Sequence, residues 1–119
     1  MPPTEILYLC QPYSHDDPWV RQERYLQAIK ASALLTQKGL TVYSPIMHSH
    51  PINWVGKGAD DVHAFWMGLH IPFIKVCKKL LVLKLEGWDR SKGVNEEVET
   101  AHALGIPVEY ATLEELAEL

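Results

Sequence analysis

The chain has 119 residues, with 11 basic and 15 acidic side chains and a formal charge of −4. That length suits one domain covering residues 1–119, and 47% apolar content is enough to build a core, which excludes intrinsic disorder. The acidic balance, without a basic cluster, excludes a nucleic acid polymer as the main partner, because neutralising phosphates needs grouped Lys and Arg.

Ile6 to Cys10 is a short apolar run stopped at Gln11-Pro12, which predicts a buried strand. Asp16, Asp17 and Pro18 supply capping chemistry and a proline suited to a first helical position. The helix they open carries Val20, Tyr25, Ala28, Ile29, Leu34 and Leu35 at near-helical spacing and ends at Gly39. Leu40 to Tyr43 predicts a second strand, halted at Ser44-Pro45. Residues 44–58 hold Pro45, Pro51, Gly56 and Gly58 with two histidines and a tryptophan, which predicts an ordered loop. Asp60 or Asp61 is placed to cap a helix running towards Cys77, with Pro72 as a kink or break. Leu80 to Leu85 is the clearest strand. A loop from Glu86 to Lys92 leads to a helix over Asn95–Leu104, ended by Gly105. Ile106 to Tyr110 is the last strand, and its Pro107 predicts an edge position. Thr112 then caps a short helix with Leu113, Leu116 and Leu119.

Strands alternating with helices, without a hairpin signal, predict an α/β fold: a parallel sheet of order 2-1-3-4 covered by helices on both faces. Ligands of such sheets collect at the carboxyl ends of the strands, so Gln11–Asp17 and Glu86–Glu97 are expected to face the site. The run Leu80–Leu83 is closed by Lys84 and is too short to span a bilayer, so no membrane is expected as a partner. Met1 to Cys10 has no basic leader and carries Glu5, and two cysteines imply no disulfide framework. The expectation is a soluble, cytoplasmic protein.

Gly87 to Glu97 is the most informative segment. Its glycines permit a tight backbone path, and Ser91 sets a hydroxyl beside the free amides of a helix N-terminus, a combination suited to an anion. Glu97 shares a helical stripe with Val94, Val98, Ala101 and Gly105, where a carboxylate is unusual; it is either a helix-capping acid or a functional group. Glu96 and Glu99 lie on other faces as solvated charges. Ser14 and His15 are placed either to bind an anion or to cap a helix, and Trp54, Trp66 and Trp88 either to stack on a base or to fill core. His48-x-His50 lacks a third ligand at recognisable spacing, so no metal is expected; Cys10 reads as inert core, and His63 and His102 have no assigned role.

Ser91-x-Gly93-x-x-x-Glu97-x-x-x-Ala101-x-x-x-Gly105, directly after an apolar strand, resembles the signature of the nucleoside deoxyribosyltransferase-like superfamily. That superfamily includes nucleoside deoxyribosyltransferases and deoxynucleoside-monophosphate N-glycosidases, with many bacterial members. Tyr8-Leu9-Cys10-Gln11-Pro12 is similar to its opening strand, whose tyrosine and following loop line the sugar pocket. The resemblance implies a flavodoxin-like three-layer sandwich, Glu97 as nucleophile and Tyr8 as the group that orients it. It implies Ser91 against a nucleotide phosphate, with Gln11, Ser14, His15, Trp88, Asp89 and Gly93 lining the substrate. It also implies a nucleoside or nucleotide as small-molecule partner, no cofactor, and a homo-oligomer with residues 44–70 near the interface.

Counting back from Cys77, His70 stands where the glycosidase branch carries an aspartic acid, and Asp60, Asp61 and Asp89 are alternative acids. The implied activity is transfer or hydrolysis at an N-glycosidic bond. The competing reading is a non-catalytic nucleotide-binding or sensing module of the same fold. A phosphoacceptor receiver fits poorly, because Leu85-Glu86 stands where its aspartate is needed. A dinucleotide-binding module is disfavoured, because no Gly-x-Gly-x-x-Gly follows the first strand.

Overall fold

A computed structural model gives the structure of the protein, and it describes residues 1–56 and 63–119. Four strands, β1 (Ile6–Cys10), β2 (Thr41–Tyr43), β3 (Lys79–Leu83) and β4 (Val108–Ala111), form one sheet in the order β2-β1-β3-β4. All three pairings are parallel, with Tyr8 opposite both Tyr43 and Leu80, and Leu80 opposite Val108. The sheet order and handling of edges match the sequence expectation: β4, preceded by Pro107, lies at one edge, where a missing donor is tolerated.

The helices are α1 (Pro18–Gln37), α2 (Pro45–Gly56), α3 (His63–Val76), α4 (Lys92–Ala103) and α5 (Leu113–Glu118). Period-two alternation sorts the strand residues into two apolar layers. Leu7, Leu9, Leu81 and Leu83 point to one face and pack with Ala31 and Leu35 of α1 and Leu116 of α5. Tyr8, Cys10, Leu80 and Val82 point to the other and meet Ile74 of α3 and Val94 and Ala101 of α4. Each fully buried leucine here contributes roughly 2 kcal/mol, so the sheet is held from both sides.

Capping sets where the helices begin and end. Asp17 accepts a hydrogen bond from the Trp19 N–H at 2.8 Å, with Pro18 at the first helical position. Thr112 and Glu115 cap α5 reciprocally, completing a capping box. Gly105 ends α4 with φ +72°, a left-handed turn that a side chain disfavours.

One expectation is overturned. The segment expected to be an ordered loop over residues 44–58 is helical from Pro45 to Gly56, with Pro51 inside the helix. Pro45 acts as a helix starter rather than a breaker: Ser44 Oγ accepts from the Met47 N–H at 3.3 Å, and proline has no N–H to leave unpaired in a first turn. Ser49 Oγ bonds the Pro45 carbonyl at 2.6 Å, within the helix. The helix expected from Asp60 or Asp61 is described from His63; those two aspartates lie outside the described residues.

Candidate active site

The segment after β3 turns at Gly87, whose φ of +86° is the left-handed geometry that glycine tolerates. A single turn of tighter 3₁₀ helix, Trp88–Arg90, follows, and Ser91 then caps α4 by accepting the Val94 N–H at 3.2 Å. This cap sets the rotation of α4, so that Val94, Glu97 and Ala101 form its buried stripe. Glu97 is thereby driven into the sheet, only 6% exposed.

Its carboxylate meets three side chains from two other elements. The Tyr8 hydroxyl donates to Glu97 Oε2, and Cys10 Sγ lies 3.5 Å from Oε1. His70 Nδ1, from α3, lies 3.9 Å from Oε2. Tyr8 and Cys10 share one face of β1, which is paired on both sides, so both donors come from firmly held backbone. The ring of Tyr43 lies 5.7 Å from that of Tyr8 and stacks on Phe73 at 4.1 Å. The buried Tyr43 hydroxyl has no hydrogen-bond partner among the described residues.

Burial dominates the electrostatics. It raises the Glu97 carboxyl to about 7, while the bonds from Tyr8 and Cys10 pull in the opposite direction and nearby Glu96 adds to the rise. Burial, followed by the charge of Glu97, pushes the Tyr8 hydroxyl far above its ordinary range and Tyr43 up to about 12. The cluster is thus a carboxyl poised near neutrality beside phenols that stay protonated.

The structure therefore brings Tyr8, His70 and Glu97 together. Trp88 packs against the same apolar layer and against Tyr110, with ring centroids 5.5 Å apart. Gly93 sits in the first turn of α4. The other expected site residues have partners of their own. Gln11 is buried on the α1 side, its Nε2 bonding the Arg24 carbonyl at 2.9 Å while its Oε1 has no partner among the described residues. Ser14 and His15 are exposed, their carbonyls bound by Arg24 and Arg21 of α1, and His15 Nδ1 accepts the Asp17 N–H. Asp89 is exposed, 3.5 Å from the Arg90 guanidinium. Tyr8 is fully buried, so it supports Glu97 from beneath and does not line an open pocket. An open groove of about 520 Å³ between α3 and α4, lined by Met67, Ile71, Glu99 and Ala103 among others, does not include Glu97.

The two histidines of His48-x-His50 diverge, because two residues apart on a helix is over half a turn. His48 lies near the Tyr43 and Phe73 rings. His50 is bonded to Tyr13 at 2.5 Å and Gln22 at 3.0 Å and stacks on Tyr25. No group of three His, Cys, Asp or Glu among the described residues is arranged to hold a metal. The Trp54 side chain lies outside what is described.

Sequence reasoning missed the contact of Cys10, the role of Arg24 in tying the first loop to α1, and Tyr43. The period-two spacing of Tyr8 and Cys10 was the available signal for the first.

A family model described as a domain of unknown function, DUF1937, matches residues 5–112. This chain belongs to the DUF1937 family. The matched span includes all four strands and every member of the Glu97 cluster. Among solved structures, the DUF1937 chain is similar to a 2-deoxyribosyltransferase from the psychrotolerant bacterium Bacillus psychrosaccharolyticus. The TM-score is 0.64 at 22% identity, covering 90% of this chain and 72% of that one. The likeness establishes a deoxyribosyltransferase-like, flavodoxin-like fold. No curated protein matches the DUF1937 chain by sequence. No helix among its described residues is long and apolar enough to cross a membrane.

Proposed function

We propose that this protein processes a nucleoside or nucleotide at its N-glycosidic bond, with Glu97 as nucleophile. The observation that carries the reading is the Tyr8–Glu97 pair: a buried, inward-facing carboxylate held by a hydroxyl of the central strand. Glu97 is the sixth residue of α4, past the first turn that Ser91 caps, so a helix-capping role does not account for it. The fold shared with a 2-deoxyribosyltransferase supports the same reading.

In this mechanism ionised Glu97 attacks the anomeric carbon as the bond to the base nitrogen breaks. The electron pair leaves with the base, which takes a proton from His70. Water, or an acceptor base, then attacks the glycosyl ester and regenerates Glu97, with His70 accepting the incoming proton. Tyr8 holds the carboxylate in aim, and Ser91, Trp88 and Gly93 lie on the segment that would meet the substrate. No cofactor is needed for these steps. Family resemblance and exposed Met47, Ile52, Leu69, Phe73 and Val76 on α2 and α3 support a homo-oligomer.

The test is release of free base from deoxynucleosides and their monophosphates. Glu97→Gln keeps the shape but removes the nucleophile, and kcat is expected to fall at least about a thousandfold with the fold intact. Since only ionised Glu97 attacks and His70 must carry the proton it gives to the base, the pH–rate profile is expected to be bell-shaped, its rising limb set by Glu97 at about 7. That the groove between α3 and α4 does not include Glu97 favours a second reading, a nucleotide-binding module. Calorimetric binding of a deoxynucleotide without any base release would select it.

A further inference from the structure

We infer that the Cys10 thiol is a positioning donor for Glu97: β1 supplies one hydrogen bond to each carboxylate oxygen, Tyr8 to Oε2 and Cys10 to Oε1, and so fixes the plane of the carboxylate. The terminal torsion of a glutamate side chain is broad and roughly two-fold, so packing alone does not set that plane. A donor on one oxygen leaves the carboxylate free to pivot about it. Two donors two residues apart on one strand remove the pivot. The strand is central, paired through Tyr8 with Tyr43 and Leu80 and through Cys10 with Val82, so the donors themselves barely move.

The choice of a thiol has a chemical consequence. A second hydroxyl would bind Oε1 strongly and lower its basicity, whereas S–H is a weak donor and leaves the oxygen more nucleophilic. Cys10 is fully buried, and burial together with the carboxylate holds its thiol well above the ordinary range. It therefore stays protonated and donates, instead of acting as a nucleophile. Among the described residues, the groups facing Glu97 are Tyr8 and Cys10 from β1, Tyr43 from β2 and His70 from α3, with Glu96 beside it on α4. What the aim serves rests on the proposed reaction; the thiol–carboxylate bond does not.

The S–H infrared stretch reads the bond directly. Cys77→Ala leaves Cys10 as the sole thiol, since the chain has two cysteines. Its band is expected below that of an unbonded thiol, and should rise both in Glu97→Gln and as acid protonates Glu97. A band at the unbonded position, unmoved by Glu97→Gln, overturns the inference. Carbon-13 NMR of labelled glutamate supplies the second arm. The Glu97 titration is expected to move up by about one unit in Cys10→Val, which keeps bulk without a donor, and to stay lower in Cys10→Ser. Equal titrations in the two variants also overturn it. In turnover, Cys10→Val is expected to lower kcat roughly tenfold with KM unchanged, with partial rescue by Cys10→Ser. If the wild type releases no base, the proposed reaction fails, while the infrared and NMR arms still decide the role of Cys10.

Discussion

Glu97 couples stability to pH through a carboxyl that holds its proton longer in the folded chain than in the unfolded one. Its folded value is about 7 against an ordinary 4.5, chiefly because burial penalises the charge. Between those values the folded state binds more protons, so the stability contributed by this group is fully present below about pH 4.5 and is lost as pH rises to about 7. The loss is on the order of 3 kcal/mol. Glu97→Gln removes it, and urea midpoints at about pH 5 and about pH 8 are expected to differ less in the variant than in the wild type. Tyr43 makes a second residue-level case. Its hydroxyl is buried without a partner among the described residues, and such a group costs about 1–3 kcal/mol. Tyr43→Phe is therefore expected to leave the melting temperature unchanged or raise it. A marked fall would reveal a partner for the hydroxyl.

At the scale of elements, the site depends on where α4 starts and stops. Ser91 caps one end, and Gly105 turns the other with φ +72° and nothing within 4 Å of where a Cβ would sit. Gly105→Ala meets no steric obstacle, so its cost is the left-handed backbone alone, roughly 1–2 kcal/mol in chemical denaturation. The loop after β1 is tied down differently. Tyr13 reaches from it to His50 on α2, and His50 is held in turn by Gln22 and the Tyr25 ring on α1. Burial, then Arg21, keeps His50 below its usual value, so it is neutral at ordinary pH and can accept from Tyr13. Tyr13→Phe removes that bond, and faster amide hydrogen exchange over residues 13–17 is expected, with β1 and β3 unchanged. Uniform acceleration across the sheet would mean the bond holds more than the loop.

Across the whole molecule, two apolar layers enclose the sheet, yet the helices over residues 45–56 and 63–76 leave large apolar side chains in water. Phe73 is 38%, Leu69 47% and Val76 62% exposed. This exposure supports the proposed homo-oligomer. Light scattering is expected to give a mass that is a multiple of the 13.5 kDa chain, and Val76→Lys to shift it towards the monomer. A monomer mass for the wild type at micromolar concentration would count against the oligomer.

The sequence by itself determined the α/β class, the order 2-1-3-4 and the inward turn of Glu97. The class and the turn of Glu97 follow from local rules: apolar runs for buried strands, caps for helix starts, and the helical spacing of Val94, Glu97 and Ala101. The order follows from strand–helix alternation and the family resemblance. It misjudged residues 45–56, because a proline that starts a helix and one that interrupts it are the same letter, and the Ser44 cap tells them apart. What surrounds Glu97 was decided by the tertiary structure. Cys10 lies two residues beyond Tyr8 and looks like core filling along the chain, until α4 packs on that face of the sheet and sets Glu97 Oε1 against its thiol. The near-neutral carboxyl has the same origin. A pKa shift by burial depends on how much water the packed chain excludes, and no local spacing records that.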